Sequence, residues 1–376
     1  MDLSLNEDQQ LLKDSVARFV EENYSIERRR ALRDSGTGVD AERWQQLAEL
    51  GWLSLPFAEA DGGFGGGPLD LMVLMEEFGR GLVTEPFLVN VVICGAFLSR
   101  ASDAQRAEYL PPLIAGETQW AFAFAEPRSR FNLADISVLA EADGDGYRIT
   151  GDKVAVLNGD SADKLIVTVR SSGERRDREG ISLAVVDGAA EGVARKSYPL
   201  VDGSYGADIH FDGVKVSGDA LLGDPGDALA VVEDVVSLAL VAIGAEALGA
   251  MEALLEATVE YTRTREQFGQ PISRFQSLQH RMADMYLQCQ SLRSLLYYAA
   301  IAQQEGSDDA RRAASALKVK VEDAGRFVSQ QAVQLHGGIG MTDELGVSHY
   351  FKRLLLLNTL FGDGEHHLSQ YLKAAG

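Results

Sequence analysis

From Trp120 to Gly223 the chain alternates short apolar runs with turns, and helical spacing fills it on both sides of this block. The runs are WAFAFA, SVLAEA, YRITGDKVAVL, DKLIVTVR, ISLAVVD and ADIHFDGVKV. DGDG at Asp143 to Gly146 is a strong hairpin turn between two of them. About six or seven strands at this spacing predict an antiparallel barrel or sandwich. On the N-terminal side, Asn6 and Gln9 form a capping-box pattern, and Leu12, Val16, Phe19 and Val20 then keep helical spacing. On the C-terminal side, Leu278, Met282, Met285, Cys289, Leu292 and Leu296 share one helical stripe, as in a bundle core. The 376 residues are too many for one compact core. The fold class predicted is α+β, with an N-terminal helical domain (1–118), a middle antiparallel β domain (119–224) and a C-terminal four-helix-type bundle (225–376).

Charge narrows the partners. There are 56 acidic residues against 35 basic ones, a net charge of −21, which repels nucleic acid and admits polyanionic ligands only through a local basic patch. The two cysteines, Cys94 and Cys289, sit in apolar helical runs and read as core residues, so neither a disulfide nor a metal site is expected. The start, MDLSLNEDQQLL, has no signal-peptide pattern, and no apolar run of about 18 residues stands out, so no membrane span is predicted and a cytoplasmic location is expected. DGGFGGGPLD, Asp61 to Asp70, lacks the preceding strand and the Lys-Ser/Thr of a phosphate loop and reads as a plain connection. SSGERRDREG, Ser171 to Gly180, reads as a charged, mobile loop without a function.

Four stretches carry chemistry. They are FAFAEPRSR (Phe122 to Arg130), ITGDKVAVLNGDSAD (Ile149 to Asp163), YTRTREQFGQPISRFQSLQ (Tyr261 to Gln279) and QAVQLHGGIGMTDE (Gln331 to Glu344). In order and spacing they resemble the acyl-CoA dehydrogenase family over essentially the whole chain. The resemblance implies FAD, held partly across a subunit boundary, and α,β-dehydrogenation of an acyl-CoA thioester. In that chemistry a carboxylate removes the α-proton while the flavin accepts the β-hydride. It implies flavin-ring contacts at Phe122, Ala123, Phe124, Ala125 and Ala155. It also implies a cross-subunit surface made of Arg265 and Phe268 with Gln334, Leu335, His336, Gly337 and Gly338. Arginine suits the pyrophosphate because its fork matches phosphate oxygens, and glycines let backbone N–H groups approach an anion.

The departures from the family pattern are as specific as the matches. The usual glutamate position falls at Gly362, and the alternative one near Ala239, followed by Leu240. The flavin loop continues Arg128, Ser129, Arg130, Phe131, Asn132 instead of Gly-x-Gly-Ser-Asp, and Ala155 replaces the hairpin tryptophan. Asp363 is the replacement base considered first, with Glu365 and His366 behind it and Glu246 read as a packing or flavin-neighbour residue. Gly362 keeps its backbone N–H, which leaves an oxyanion contact open. In this respect the chain resembles the divergent small subunit of heteromeric acyl-CoA dehydrogenases of the pimeloyl-CoA and sterol-side-chain types, working in fatty acid or sterol catabolism. The expected assembly is a homo-oligomer or a heterotetramer with a second acyl-CoA dehydrogenase subunit, and electron-transfer flavoprotein is the expected acceptor. Two alternatives stand beside this reading. One is a self-sufficient homo-oligomer using Asp363; the other is a non-catalytic scaffold. A related oxidase is not separated from these by motifs.

Overall fold

The computed structural model of the protein describes residues 4–36 and 38–374. The helices before the β block are α1 (Glu7–Asn23), α2 (Ile26–Ser35), α3 (Ala41–Glu49), α4 (Pro68–Gly81), α5 (Gly95–Leu98, continuing a π-helical stretch Leu88–Cys94) and α6 (Asp103–Ile114). The predicted capping box is present: Gln9 N–H donates to Asn6 Oδ1 at 2.8 Å and Asn6 N–H donates to Gln9 Oε1 at 3.2 Å. Val16 and Val20 face the core from α1.

Eight strands follow: β1 (Trp120–Ala123), β2 (Leu139–Asp143), β3 (Gly146–Leu157), β4 (Lys164–Arg170), β5 (Ile181–Asp187), β6 (Val193–Pro199), β7 (Tyr205–Ser217) and β8 (Leu221–Leu222). They form one sheet in the order β6-β7-β3-β2-β4-β5-β8, with β1 on β4. Most ladders are antiparallel, but β1 pairs with β4 in parallel, and so does the single Leu139–Arg170 pair of β2 and β4. The long excursion through the β2–β3 hairpin brings β4 back in β1's direction, which a tight hairpin cannot do. The sequence pattern did not predict β6 or β8. β6 (VARKSYP) lies at the edge, carries charges and a proline, and buries none of its residues fully.

The C-terminal elements are α7 (Leu229–Thr264), a two-strand turn of β9 (Glu266–Gln267) and β10 (Gln270–Pro271), then α8 (Gln276–Gln304), α9 (Ala310–His336), α10 (Gly346–Thr359) and α11 (Gly364–Ala374). By contacts the described residues gather into two compact units. One comprises those up to Gly36, Gly67–Thr84 and those from Leu240 on; the other comprises those from Gly38 to Gly66 and Glu85–Ala239. In the first, α4 and α7 pack backbone to backbone. A Cβ added at Gly79 would lie 2.0 Å from Glu246 O, and one at Gly249 would lie 1.8 Å from Glu76 O. The α8 stripe is split: Met285, Cys289, Leu292 and Leu296 are buried, whereas Leu278 and Met282 are only half-buried. Contrary to the expectation from composition, α7 contains a window apolar and long enough to cross a membrane; 78% of that window is buried in protein, the behaviour of a core helix. Cys94 and Cys289 are both free and buried.

Candidate active site

The loop after β1 is held by a buried ion pair that sequence reasoning passed over. Lys153 Nζ, on an inward position of β3, donates to Glu126 Oε1 at 2.8 Å, to Thr168 Oγ1 at 2.9 Å and to the Phe124 carbonyl at 3.2 Å. Glu126 also accepts from the N–H groups of Ser137 (2.8 Å) and Val138 (3.1 Å) and from the Ser137 hydroxyl. Complete burial pulls the lysine down to about 8. Burial pushes the glutamate up, but the lysine and its other donors outweigh that and hold it below the usual carboxylate range. Asn158, in left-handed backbone (φ 58°), adds bonds to the Trp120 carbonyl (3.0 Å) and Gln119 Oε1 (3.1 Å). The Glu-Pro and Lys…Asn-Gly letters of the first two motifs thus fix where residues 124–126 lie against the β3 hairpin. Their one visible signal was charge inside otherwise apolar strand patterns.

Of the predicted ring contacts, Phe122 and Ala123 are buried in the β unit, Phe122 packing on Phe97 and Phe124 at centroid distances of 4.8 and 5.2 Å. Their side chains are therefore committed to the core. Phe124 and Ala125 are half-buried, and Ala155 is exposed. Ala155 sits at a β-bulge with φ 52°, its N–H on Asp208 Oδ1 (3.1 Å) and the Tyr198 hydroxyl (3.2 Å). None of Phe124, Ala125 and Ala155 has a side-chain hydrogen-bonding group, so this face offers a flat ligand apolar contacts and backbone groups only.

In the other unit the predicted cross-subunit residues divide by exposure. Arg265 is exposed, and its guanidinium has no ion-pair partner among the described residues. Phe268 is 92% exposed in left-handed backbone (φ 55°). Its ring meets Phe275 edge-on, the centroids 6.2 Å apart. Gln334, Gly337 and Gly338 are exposed at the end of α9, whereas Leu335 and His336 are buried. The His336 ring stacks on Tyr261 at 4.4 Å and its Nδ1 lies 2.8 Å from the Ala332 carbonyl. Burial holds it below the usual histidine range, so it serves as a neutral packing group. A Cβ at Gly338 would meet nothing within 4 Å and the residue has ordinary backbone, so nothing inside this chain requires glycine there. The bare backbone faces outward.

The turn between α10 and α11 carries Gly362, where the resemblance places the usual glutamate. Phe361 (φ 57°) and Gly362 (φ 128°) are both in backbone that side chains disfavour. A Cβ at Gly362 would lie 2.6 Å from His366 Cδ2 and 2.7 Å from His367 Nε2. The two imidazoles therefore occupy the first atoms of any side chain there. The Gly362 N–H reaches the Thr359 carbonyl only at 3.5 Å. Asp363 caps α11: its Oδ1 accepts from His366 N–H at 2.8 Å. Lys318, fully buried on α9, donates to the carbonyls of Leu357 and Asn358, and burial brings it down to about 7. His367 Nε2 lies 3.1 Å from the Phe361 carbonyl, and burial, with Lys318 and His366 nearby, takes it down to about 3. Glu365 is exposed. Ala239 and Leu240, at the alternative position, are buried and uncharged. Glu246 is a buried packing residue: Oε1 accepts from Arg353 Nε at 2.6 Å, while Oε2 has no partner among the described residues.

The sequence matches three family models: acyl-CoA dehydrogenase N-terminal domain over residues 6–117, middle domain over 121–214 and C-terminal domain over 229–376. The chain belongs to the acyl-CoA dehydrogenase family. It is 29% identical over 368 residues to the mitochondrial isovaleryl-CoA dehydrogenase of Pongo abelii, covering 96% of this chain and 87% of that one. Its fold is similar to butyryl-CoA dehydrogenase from Megasphaera elsdenii (TM-score 0.92, 27% identity, all of both chains covered). It is also similar to the ChsE4–ChsE5 complex from Mycobacterium tuberculosis (TM-score 0.90, 27% identity, 99% and 98% covered). The family is one of FAD-dependent dehydrogenases. The unpaired Arg265, the presented Phe268 and the bare backbone at Gly337 and Gly338 fit a pyrophosphate and an adenine, and these residues would hold FAD; when bound, it supplies the hydride acceptor.

Proposed function

We propose that this chain is the divergent subunit of a heteromeric FAD-dependent acyl-CoA dehydrogenase, in which a second chain of the same family supplies the catalytic carboxylate. One observation carries the reading: the usual base position is a glycine in backbone closed to side chains, its side-chain space already filled by His366 and His367. Two of the acidic groups nearby are engaged, and Glu365 is exposed. Asp363 caps a helix, and Glu322 accepts the Gly364 N–H. The alternative base position on α7 is apolar.

What the chain contributes instead is surface. Arg265 offers a planar cation for a pyrophosphate, and Gly337 and Gly338 offer close approach of backbone. Lys318 and His367, each bonded to main-chain carbonyls of residues 357–361, hold the α10–α11 turn, with the carboxylates of Glu322 and Asp363 near Lys318. On the β unit, the Glu126–Lys153 pair holds the loop that lines the face of Phe124, Ala125 and Ala155.

The test is co-expression of this chain with other family members from the same genome. A stable complex, with turnover of an acyl-CoA abolished by changing the partner's glutamate and flavin content lowered by Arg265→Ala here, supports the reading. Turnover by this chain alone would remove it. The preference over a self-sufficient enzyme rests on Asp363, whose carboxylate is already bonded to the first turn of α11.

A further inference from the structure

Helix α2 reads IERRRALRDS and fully buries none of its residues, yet its arginines have fixed partners in the same unit. Arg29 Nη1 donates to the Leu82 carbonyl at 2.7 Å, which seats α2 on the end of α4. Arg30 and Arg33 are three residues apart and share a face of the helix. Both reach Asp343: Arg33 Nη1 donates to Oδ1 at 2.9 Å, and Arg30 Nε lies 3.3 Å from Oδ2. Arg33 also donates from Nε and Nη2 to Asp34, at 3.0 and 2.8 Å. From α10, His349 Nε2 and Lys352 Nζ lie 3.5 and 3.9 Å from Asp343 Oδ1. Basic side chains of two helices thus converge on one carboxylate, and the bond from Arg33 holds its carboxyl below the usual range.

Asp343 closes the segment that begins with the bare backbone of Gly337 and Gly338. Residues Gly337–Met341 make one short 3-10 turn. Its near end is tied at His336, whose carbonyl accepts from the Tyr261 hydroxyl at 3.3 Å and whose ring stacks on the same tyrosine. Its far end is tied by the Ser348 hydroxyl, which donates to the Thr342 carbonyl at 2.8 Å, and by His349 Nε2, 3.0 Å from the Asp343 carbonyl. The arginines of α2 add the third tie, on the Asp343 side chain. Between the two ends Gly340 is buried, and a Cβ there would lie 2.9 Å from His336 Cβ, so the turn rests on the end of α9. Gly337, Gly338, Ile339 and Met341 are exposed. A short turn fixed at both ends presents its outer backbone with little freedom left to lose on binding.

We infer that Arg33 and Arg30 are positioning residues for the flavin, fixing through Asp343 the turn whose backbone at Gly337 and Gly338 would hold FAD. The inference rests on the flavin reading of that backbone and not on which chain supplies the base. The arginines touch no reacting atom; they act by holding the turn in its binding shape before the ligand arrives. Arg33 and Asp343 are 33% and 36% exposed, and an ion pair so exposed adds little to global stability. Its loss therefore shows in flavin affinity rather than in unfolding.

Titration of FAD into the flavin-stripped complex, or into this chain alone where it holds flavin by itself, compares wild type with Arg33→Gln, Asp343→Asn and the double variant. Each single change is expected to weaken FAD binding about fivefold, the upper range for a partly exposed ion pair, with the urea midpoint unmoved. The double variant is expected to lose no more than either single one, and Arg33→Lys to keep part of the affinity. The two single changes alter charge in opposite senses. A mere field effect on the pyrophosphate would weaken binding in Arg33→Gln and strengthen it in Asp343→Asn, and that opposition overturns the positioning role. Unaltered affinity in both variants, or additive losses in the double one, overturns it as well. Hydrogen exchange of the chain purified alone reads the turn without flavin: the amides of residues 337–341 are expected to exchange faster in both single variants, and unchanged exchange contradicts the inference. A wild-type complex that holds no flavin removes the flavin reading together with the positioning role, whereas flavin held equally by every variant removes only the positioning role.

Discussion

Gly362→Glu restores the family's usual letter and is expected to destroy rather than rescue. The glycine sits at φ 128°, and its added Cβ would fall 2.6 Å and 2.7 Å from atoms of His366 and His367. Left-handed backbone costs an L-residue about 1–2 kcal/mol, and forcing atoms into a packed site costs about 1–3 kcal/mol more. The sum, roughly 2–5 kcal/mol, is a large part of the 5–15 kcal/mol typical of a folded domain. Urea unfolding followed by tryptophan fluorescence and circular dichroism reads the loss as a shift in midpoint at unchanged slope. Gly362→Ala should already lose the backbone part and some of the contact part. Removing both rings in Gly362→Glu/His366→Ala/His367→Ala should return the contact part but not the backbone part, allowing for the cavity those truncations leave. Dehydrogenase turnover by Gly362→Glu alone should stay absent. A Gly362→Glu protein as stable as wild type, or one that turns over acyl-CoA unaided, would refute the reasoning from this turn.

Lys153→Met should cost about 3–5 kcal/mol, because it strands Glu126 at 1% side-chain exposure, and adding Glu126→Gln should recover part of that; chemical denaturation of the single and double variants checks it. Asp363→Ala should cost about 1 kcal/mol as a lost helix cap and leave turnover of the assembled enzyme unchanged, measured by unfolding and by steady-state assay in parallel. His367 is held at about 3 in the folded protein against an ordinary value of 6.5. Its contribution is therefore fully present above pH 6.5 and is lost as pH falls toward 3, so stability measured between pH 7 and pH 4 should fall less steeply in His367→Gln. Arg265→Ala should lower flavin content in the complex without moving the unfolding midpoint of this chain, since the side chain is exposed and has no ion-pair partner among the described residues.

The helix–strand–helix order was legible because periodicity reports burial directly: the apolar runs from WAFAFA to ADIHFDGVKV each became a strand, and the Asn6–Gln9 box capped the first helix. The edge strand Val193–Pro199 was not legible, since its residues bury little and its pairing is made by backbone. Chemistry read from motif letters located surfaces but not orientations. His336 and Phe122 look like ligand contacts as letters, yet their side chains are spent on packing, while neighbouring Gly338 and Phe124 are the ones presented. The glycine at the position the resemblance assigns to the glutamate was visible in the sequence; that two histidines fill its side-chain space depends on a turn geometry that no local pattern encodes. Likewise SSGERRDREG read as mobile because its composition is charged. The residue that pins it, Arg170, lies in the preceding strand and bonds only to carbonyls.

The most direct test of the central claim is the visible absorption spectrum of this chain purified alone and again after co-expression with a family partner, with flavin counted per chain. The protein alone is expected to be colourless or substoichiometric in flavin, and the complex to be yellow and to lose its flavin with Arg265→Ala. One flavin per chain in the protein alone, reduced on adding acyl-CoA, would contradict it.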